Sequence, residues 1–367
     1  METMDNTQDL VQMVAWMGFV LAFIFGYVAN KTSFCTMGAV SDVVNMGEWG
    51  RMRAWLLGIA VAILGTNLLA YFGYLDLAQT YYTRGTVYWF GALVGGLTFG
   101  VGMTLAGGCG QRTLVRLGGG NLKSIVVFMF LGYTALVTMN GVLRVVVDEV
   151  LRAEMFTLHL NGAQTLPALF GIADAGQSFT LAAIISALML VFVLINKEFR
   201  ESGDNLLAGL VVGLVVVAGW YVTGHLGVGE NEFMEKSYLG TDSKLAESMT
   251  FVGPLAYTMD LWAYWRDKHV TFGVASVFGV VIGSFIYSVF NRSFRWEYFN
   301  SPQDMFRHIV GAVLMGFGGI TAAGCTIGQA VTGVSTLAVS SFIVFFGIVA
   351  GAAVTMKIQY FLLMRSA

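Results

Sequence analysis

The sequence predicts an all-α polytopic membrane protein of about nine spanning helices, built as two pseudo-symmetric inverted repeats with glycine-rich helix breaks. Three observations carry that prediction. Hydrophobic residues make up 56% of the 367 residues and charged residues 11%, against about 25% in a soluble domain. Several apolar stretches approach about 20 residues, the length that crosses about 30 Å of hydrocarbon as helix. Two glycine–cysteine segments recur in matching contexts far apart in the chain. A β-barrel is excluded, because its strands alternate polar and apolar residues. A nucleic-acid binder, a secreted disulfide scaffold and a peripheral enzyme are excluded by the same composition.

The elements follow in order. Met1 to Leu10 carries Glu2, Asp5 and Asp9 and no Lys or Arg. Without a basic leader the first apolar segment is expected to stay as a membrane helix. The first half, 1–177, then holds spans at Val14–Ala29, Ala54–Gly73, Val87–Ala106 and Leu122–Leu143. The second half, 178–367, holds Phe179–Ile195, Leu206–Thr223, Phe272–Phe290, Ile309–Ala323 and Leu337–Leu362. Both halves belong to one membrane domain. The longest polar stretch, Gly227–His269, joins the sixth and seventh spans.

Charge orients the bundle. With the N-terminus outside, segments 30–53, 107–123, 196–205, 291–308 and the C-terminal end face the cytoplasm. They hold 13 of the 20 Lys and Arg and 7 of the 22 Asp and Glu. The positive-inside bias therefore predicts an N-terminus outside and a C-terminus in the cytoplasm.

The three cysteines stand at the predicted bends. Cys109 lies in Leu105-Ala-Gly-Gly108-Cys109-Gly110-Gln111 and Cys325 in Ala323-Gly324-Cys325-Thr326-Ile-Gly328-Gln329. Under the predicted topology the spans before them run in opposite directions. Inverted repeats of this kind place a substrate site at interrupted helices near the bilayer midplane. Glycine permits both close helix approach and unwinding, and unwound backbone survives at membrane depth only where it is buried or lines a cavity. Glycine-rich spans also serve simply to pack helices; two matched copies in opposite sense favour the pathway reading. A further pairing sets Asn30-Lys-Thr-Ser-Phe-Cys35 against Asn291-Arg-Ser-Phe-Arg295, so the thiol set is asymmetric.

The cysteines form no Cys-x-x-Cys, and the four His (159, 225, 269 and 308) sit in or beside loops. No metal site or cofactor is expected. What remains is a set of weak S–H donors and polarizable sulfurs, suited to a soft anion that contains sulfur better than to sulfate. Apart from Lys123 and Lys357 near span ends, the spans carry no Asp, Glu, Lys or Arg, so binding is expected to rest on thiols, hydroxyls and amides. Thr104, Thr326 and the amides around Gly108 and Gly324 are the nearest donors. Arg84 or the loop Thr250-Phe-Val-Gly-Pro254 is expected at the outer mouth. Trp49, Trp89, Trp220, Trp262 and Trp296, near span ends, read as interfacial anchors.

At these residues the chain resembles the YeeE/YedE family of bacterial inner-membrane proteins, also called the sulfur-transport family. The resemblance covers nearly the whole chain. It is most specific at Ser33-Phe-Cys35-Thr-Met-Gly38-Ala with Asp42, at Leu105-Ala-Gly-Gly-Cys109-Gly110, and from Gly311 through Gly319 to Ala323-Gly324-Cys325-Thr-Ile-Gly328. It implies a transporter rather than an enzyme. The implied activity is thiosulfate uptake, with pore cysteines holding the ion transiently through S–H···S hydrogen bonds. By motif that role falls to Cys35, Cys109 and Cys325, flanked by Gly108, Gly110, Gly324 and Thr326. The family also implies a cytosolic sulfur-carrier or sulfurtransferase that consumes the ion. Another sulfur or selenium compound remains open as substrate, as do a membrane thiol oxidoreductase and a structural subunit. One energetic demand stands: a dianion entering an inside-negative cell is opposed by about 4.6 kcal/mol per 100 mV.

Overall fold

The computed structural model describes residues 2–160, 162–172, 174–230, 236–265 and 270–366. Met1, His269 and parts of the polar stretch Gly227–His269 lie outside the described residues. The expected all-α fold forms. In chain order the helices are α1 (Glu2–Lys31), α2 (Thr36–Ser41), α3 (Gly50–Tyr71), α4 (Trp89–Leu105), α5 (Gly110–Gly118) and α6 (Lys123–Asn140). Two short turns follow, α7 (Leu143–Val145) and α8 (Leu166–Leu169), then α9 (Ala175–Leu194), the short α10 (Lys197–Glu201) and α11 (Gly203–Tyr221). The last four are α12 (Val252–Ala263), α13 (Phe272–Phe290), α14 (Pro302–Thr321) and α15 (Val339–Ser366). The only strands among the described residues make two small antiparallel ribbons. β1 (Thr86–Tyr88) pairs with β2 (Thr157–His159), and β3 (Val228–Glu230) with β4 (Lys236–Tyr238).

Eight helical runs among the described residues are long and apolar enough to cross a membrane. The ninth expected span, Ile309–Ala323, coincides with most of α14. That helix packs against α4 and α6, but it opens on Pro302 and Asp304, and Arg307 and its glycines dilute its apolar character.

Glycines set how closely the bundle packs. A Cβ added at Gly102 would lie 2.6 Å from the Gly311 carbonyl oxygen, and one at Gly311 would lie 2.5 Å from the Ala106 nitrogen. Seven residues earlier, a Cβ at Gly95 would lie 2.9 Å from the carbonyl oxygen of Gly318. Position rises along α4 as it falls along α14, so the two helices run antiparallel with their backbones in contact. Contact this close is what small residues provide inside a membrane, where no hydrophobic force pulls helices together. The opposite sense expected for the helices before Cys109 and Cys325 is therefore present.

One connection differs from expectation. Segment 107–123 reads as a polar cytoplasmic loop, yet it contains α5, with Gly110, Gln111, Thr113, Leu114 and Val115 buried. The helix packs on α13 and α6. Ser284 of α13 donates to the Val115 carbonyl at 2.6 Å, and a Cβ at Gly118 would lie 2.4 Å from the Val281 carbonyl oxygen. The same stretch of α13 receives Asn30 at the end of α1, whose amide donates to Ser284 and Ser288 at 2.8–3.0 Å. One helix thus anchors the chain before Cys35 and the helix after Cys109.

Candidate functional site

Three times the chain closes a helix by the same device and opens the next on a cysteine. A residue in the left-handed region ends the helix: Ser33 (φ 51°), Gly107 (φ 70°) and Ala323 (φ 56°). The following amide reaches back five residues, from Phe34 to Ala29 (3.0 Å), Gly108 to Met103 (2.9 Å) and Gly324 to Gly319 (2.7 Å). That is the 6→1 bond of a Schellman turn. The next residue is Cys35, Cys109 or Cys325. Cys35 and Cys109 are the N-caps of α2 and α5; Cys325 heads helical segment 326–335, wound wider from Gly328 to Gly333. Only one of the three left-handed positions is glycine. Holding Ser33 and Ala323 there costs about 1–2 kcal/mol each, strain of the kind that gathers at functional sites.

A fourth such turn follows α13, with Arg292 at φ 51° and Ser293 donating to Ser288 at 2.9 Å. Phe294 occupies the place of the cysteine, and Arg295 beyond it is exposed.

All three thiols are free and buried. Cys35 and Cys325 share one local geometry. The amide of Gly38 donates to Cys35 Sγ at 3.4 Å, and the amide of Gly328 to Cys325 Sγ at 3.4 Å. A backbone donor on the sulfur leaves its S–H free to donate elsewhere. Cys109 makes no such cap; its thiol lies 3.7 Å from Gln111 Oε1. Cys35 and Cys325 lie near enough to act on Cys109 electrostatically, and the Thr326 hydroxyl stands beside its thiol, so the fold gathers the three breaks. Around them, Thr36 Oγ1, Thr326 Oγ1, Gln111 Nε2 and Arg112 Nε are buried without a hydrogen-bond partner. Buried polar groups normally have partners. Orphaned donors beside three thiols and three helix N-termini have the chemistry to receive an anion.

Other expected donors are engaged. The amides of Gly108 and Gly324 are consumed by the helix-ending bonds above. The Thr104 hydroxyl donates to Gly100 in its own helix at 3.1 Å. The donors that remain are the first-turn amides of the short helices, beginning at Gly110, Thr36 and Thr326, which have no intrahelical acceptor.

Cations outside the expected spans also come close to the thiols. Arg112 senses both Cys35 and Cys109 as well as Arg51 and Arg116. Arg116 Nη1 donates to the Gly107 carbonyl at 2.8 Å, clasping the turn before Cys109. A Cβ at Gly38 would lie 2.7 Å from Arg51 Nη1.

On the other side of the breaks, segment 326–335 is braced by its neighbours. Asn67 of α3 donates to the Ser335 carbonyl and Trp220 of α11 to Ser335 Oγ, both at 3.0 Å. Trp220 is fully buried, so it braces the site and is no interfacial anchor. Trp49, Trp262 and Trp296 are exposed as expected. Gln329 ties Ala322 to Ser341 of α15 through two 2.6 Å hydrogen bonds.

Two cavities of about 260 Å³ each open onto this side. The first is lined by Arg144, Arg152, Tyr257, Thr250 and Gly324; the second by Arg84, Arg152, Gln164 and Gln329. Tyr81, Tyr82 and Ala323 line both. Thr250 Oγ1 lies 4.0 Å from Cys325 Sγ. A Cβ at Gly328 would lie 2.3 Å from Thr250 Oγ1 and 3.3 Å from the Tyr82 hydroxyl, so glycine alone lets these hydroxyls reach the cysteine turn. Arg84 and Thr250 thus line these cavities, but residues 252–254, expected as part of a loop, form the first turn of α12. Arg144 and Arg152 carry no sequence motif and were missed. Their signal was two cations retained in a segment otherwise counted as acidic.

A family described as sulphur transport matches residues 31–354. The thiosulfate transporter TsuA of Escherichia coli (strain K12) is 26% identical over 340 residues, covering 85% of this chain and 85% of the relative. The thiosulfate transporter TsuA of Spirochaeta thermophila is 24% identical over 340 residues, covering 89% and 94% respectively.

Proposed function

The chain belongs to the sulphur transport family, and on that premise we propose that it carries thiosulfate inward past Cys325, Cys109 and Cys35. It is a multi-pass membrane protein and a transporter of a sulfur-containing anion. The observation that carries the finer reading is the convergence of three cysteine-capped helix starts amid orphaned donors.

The geometry supports the following passage. The dianion enters the outer cavities, where Arg152 faces both and Arg144 the first. It moves past Thr250 and the Tyr82 hydroxyl to Cys325. There the Gly328 amide already occupies a sulfur lone pair, and the S–H donates to the terminal sulfur of the ion. At Cys109 the ion displaces the weak contact to Gln111 Oε1 and gains Thr326 Oγ1 and Gln111 Nε2, both otherwise unsatisfied. It leaves past Cys35, where Arg112 and Arg51 stand. Thiol donors are weak, which suits a path in which the ion must leave each site as readily as it arrives. The protein works in the bacterial inner membrane with its N-terminus outside, and a cytosolic sulfur-carrier consumes the ion. Consumption matters, because about 4.6 kcal/mol per 100 mV opposes a dianion.

Uptake of radiolabelled thiosulfate into proteoliposomes tests this reading, with sulfate in excess as competitor. Uptake that resists sulfate supports the thiol path. Absence of uptake, or equal inhibition by sulfate and unlabelled thiosulfate, overturns it.

A further inference from the structure

The first outer cavity holds a carboxyl group where a dianion is to enter. Glu247 lines it together with Arg144 and Arg152, yet both arginines pair with Asp148 instead, at 3.0 and 3.5 Å. Among the described residues Glu247 has no ion pair. Its placement is fixed. Its amide donates to Thr223 Oγ1, beyond α11, at 3.2 Å; its Oε2 accepts from Ser243 Oγ at 3.0 Å. Asp242 faces it from its own segment. Tyr81 and Tyr82 face it from the stretch before β1, and Tyr257 from α12. Asp148 closes the cavity beyond the arginines.

We propose that thiosulfate and a proton bind this cavity together, with Glu247 as the proton acceptor. The proposal rests on the reading that this cavity admits the anion. Ionised, Glu247 offers only acceptors and repels a dianion. Protonated, it offers an O–H donor and no charge. Binding the anion raises the affinity for the proton, and by linkage the proton raises the affinity for the anion to the same degree. The proton comes from the outer solution through the same mouth, and anion and proton together bring one net negative charge into the cavity. The free protein is poised for this. Loss of hydration, with the Asp242 carboxylate beside it, pushes Glu247 up to about 8, while thiosulfate stays a dianion throughout that range.

Titration calorimetry on the purified full-length protein tests the proposal. Thiosulfate is injected near neutral and alkaline pH, in two buffers of different ionisation enthalpy. Wild type should take up about half a proton per ion near pH 8, and its Kd should rise about tenfold from about pH 6 to about pH 9. Glu247→Gln should bind without proton uptake, with a flat profile near the wild-type value at low pH. Ser243→Ala, which removes the hydrogen bond favouring the ionised form, should move the midpoint to higher pH. Binding with no proton uptake by wild type, or a wild-type profile in Glu247→Gln, overturns the coupling and leaves the transport reading standing. No thiosulfate binding at any pH overturns both.

Discussion

Arg152 gives the most quantitative test of the outer mouth. Its guanidinium lines both cavities, stands 5.3 Å from the Tyr88 ring centre and pairs with Asp148 at 3.5 Å. Arg152→Gln removes one positive charge and keeps a polar side chain; Asp148 stays paired with Arg144 at 3.0 Å. For a single cation about 6 Å from a dianion, with water-like screening, Coulomb's law gives about 1.4 kcal/mol, or about tenfold in affinity. Stronger screening lowers that figure. The weak contact from Arg152 to the Ile320 carbonyl, 3.4 Å, is also lost, so thermal stability is checked alongside. In proteoliposomes at low salt, KM for thiosulfate should rise about tenfold with Vmax little changed. Arg152→Lys should recover most of the loss. Near 1 M salt, where the screening length is about 3 Å, variant and wild type should converge. A well-folded Arg152→Gln with wild-type KM at low salt would refute the claim that these cavities gather the anion. So would a deficit that salt does not touch.

Other consequences are simpler to state. Cys35→Ala should impair uptake partially, because Arg112 and Arg51 still face the ion at that end; complete loss, or none, contradicts this placement. Gly311→Leu should lower the thermal midpoint and abolish uptake together, since even a Cβ would meet the Ala106 nitrogen at 2.5 Å and overpacking costs about 1–3 kcal/mol or more; a variant with wild-type stability would show that α4 and α14 do not pack as described. A C-terminal fusion reporter should be active only in the cytoplasm; activity in the periplasm would reverse the direction of the path.

Much of this was legible in the residues. Glycine–cysteine copies in opposite sense are a sequence pattern, and the helices before Cys109 and Cys325 do run antiparallel. The turn device was only partly legible. Gly107 announces a left-handed position, whereas Ser33 and Ala323 do not, because tertiary packing holds them there against their preference. Helix α5 was hidden for a different reason. Nine residues that include Arg112 and Arg116 cannot pass any criterion tuned to spans of about 20, although the helix is buried. The cations beside the thiols were hidden with it. Trp220 was misjudged because an indole at a span end usually sits in the interface; here its N–H has a buried partner in Ser335, which satisfies the polar atom and lets the ring enter the core. The cavities were foreseen only in part: Arg84 and Thr250 were singled out, whereas Arg152 lies about a hundred residues before Glu247 and Thr250 and shares no motif with them.

The central claim is that the ion crosses at the thiols, and Cys109 and Cys325 stand where the breaks from α4 and α14 meet. Cys109→Ala and Cys325→Ala remove one sulfur each from buried positions and leave the preceding turns in place, although Cys325→Ala also gives up the hydrogen bond from the Gly328 amide. Initial rates of radiolabelled thiosulfate uptake, measured side by side for wild type and the two variants at equal reconstituted amounts, decide the matter. The account predicts that both variants insert, remain monodisperse and fail to take up thiosulfate. Wild-type rates in both would contradict it and leave the two cysteines as packing residues.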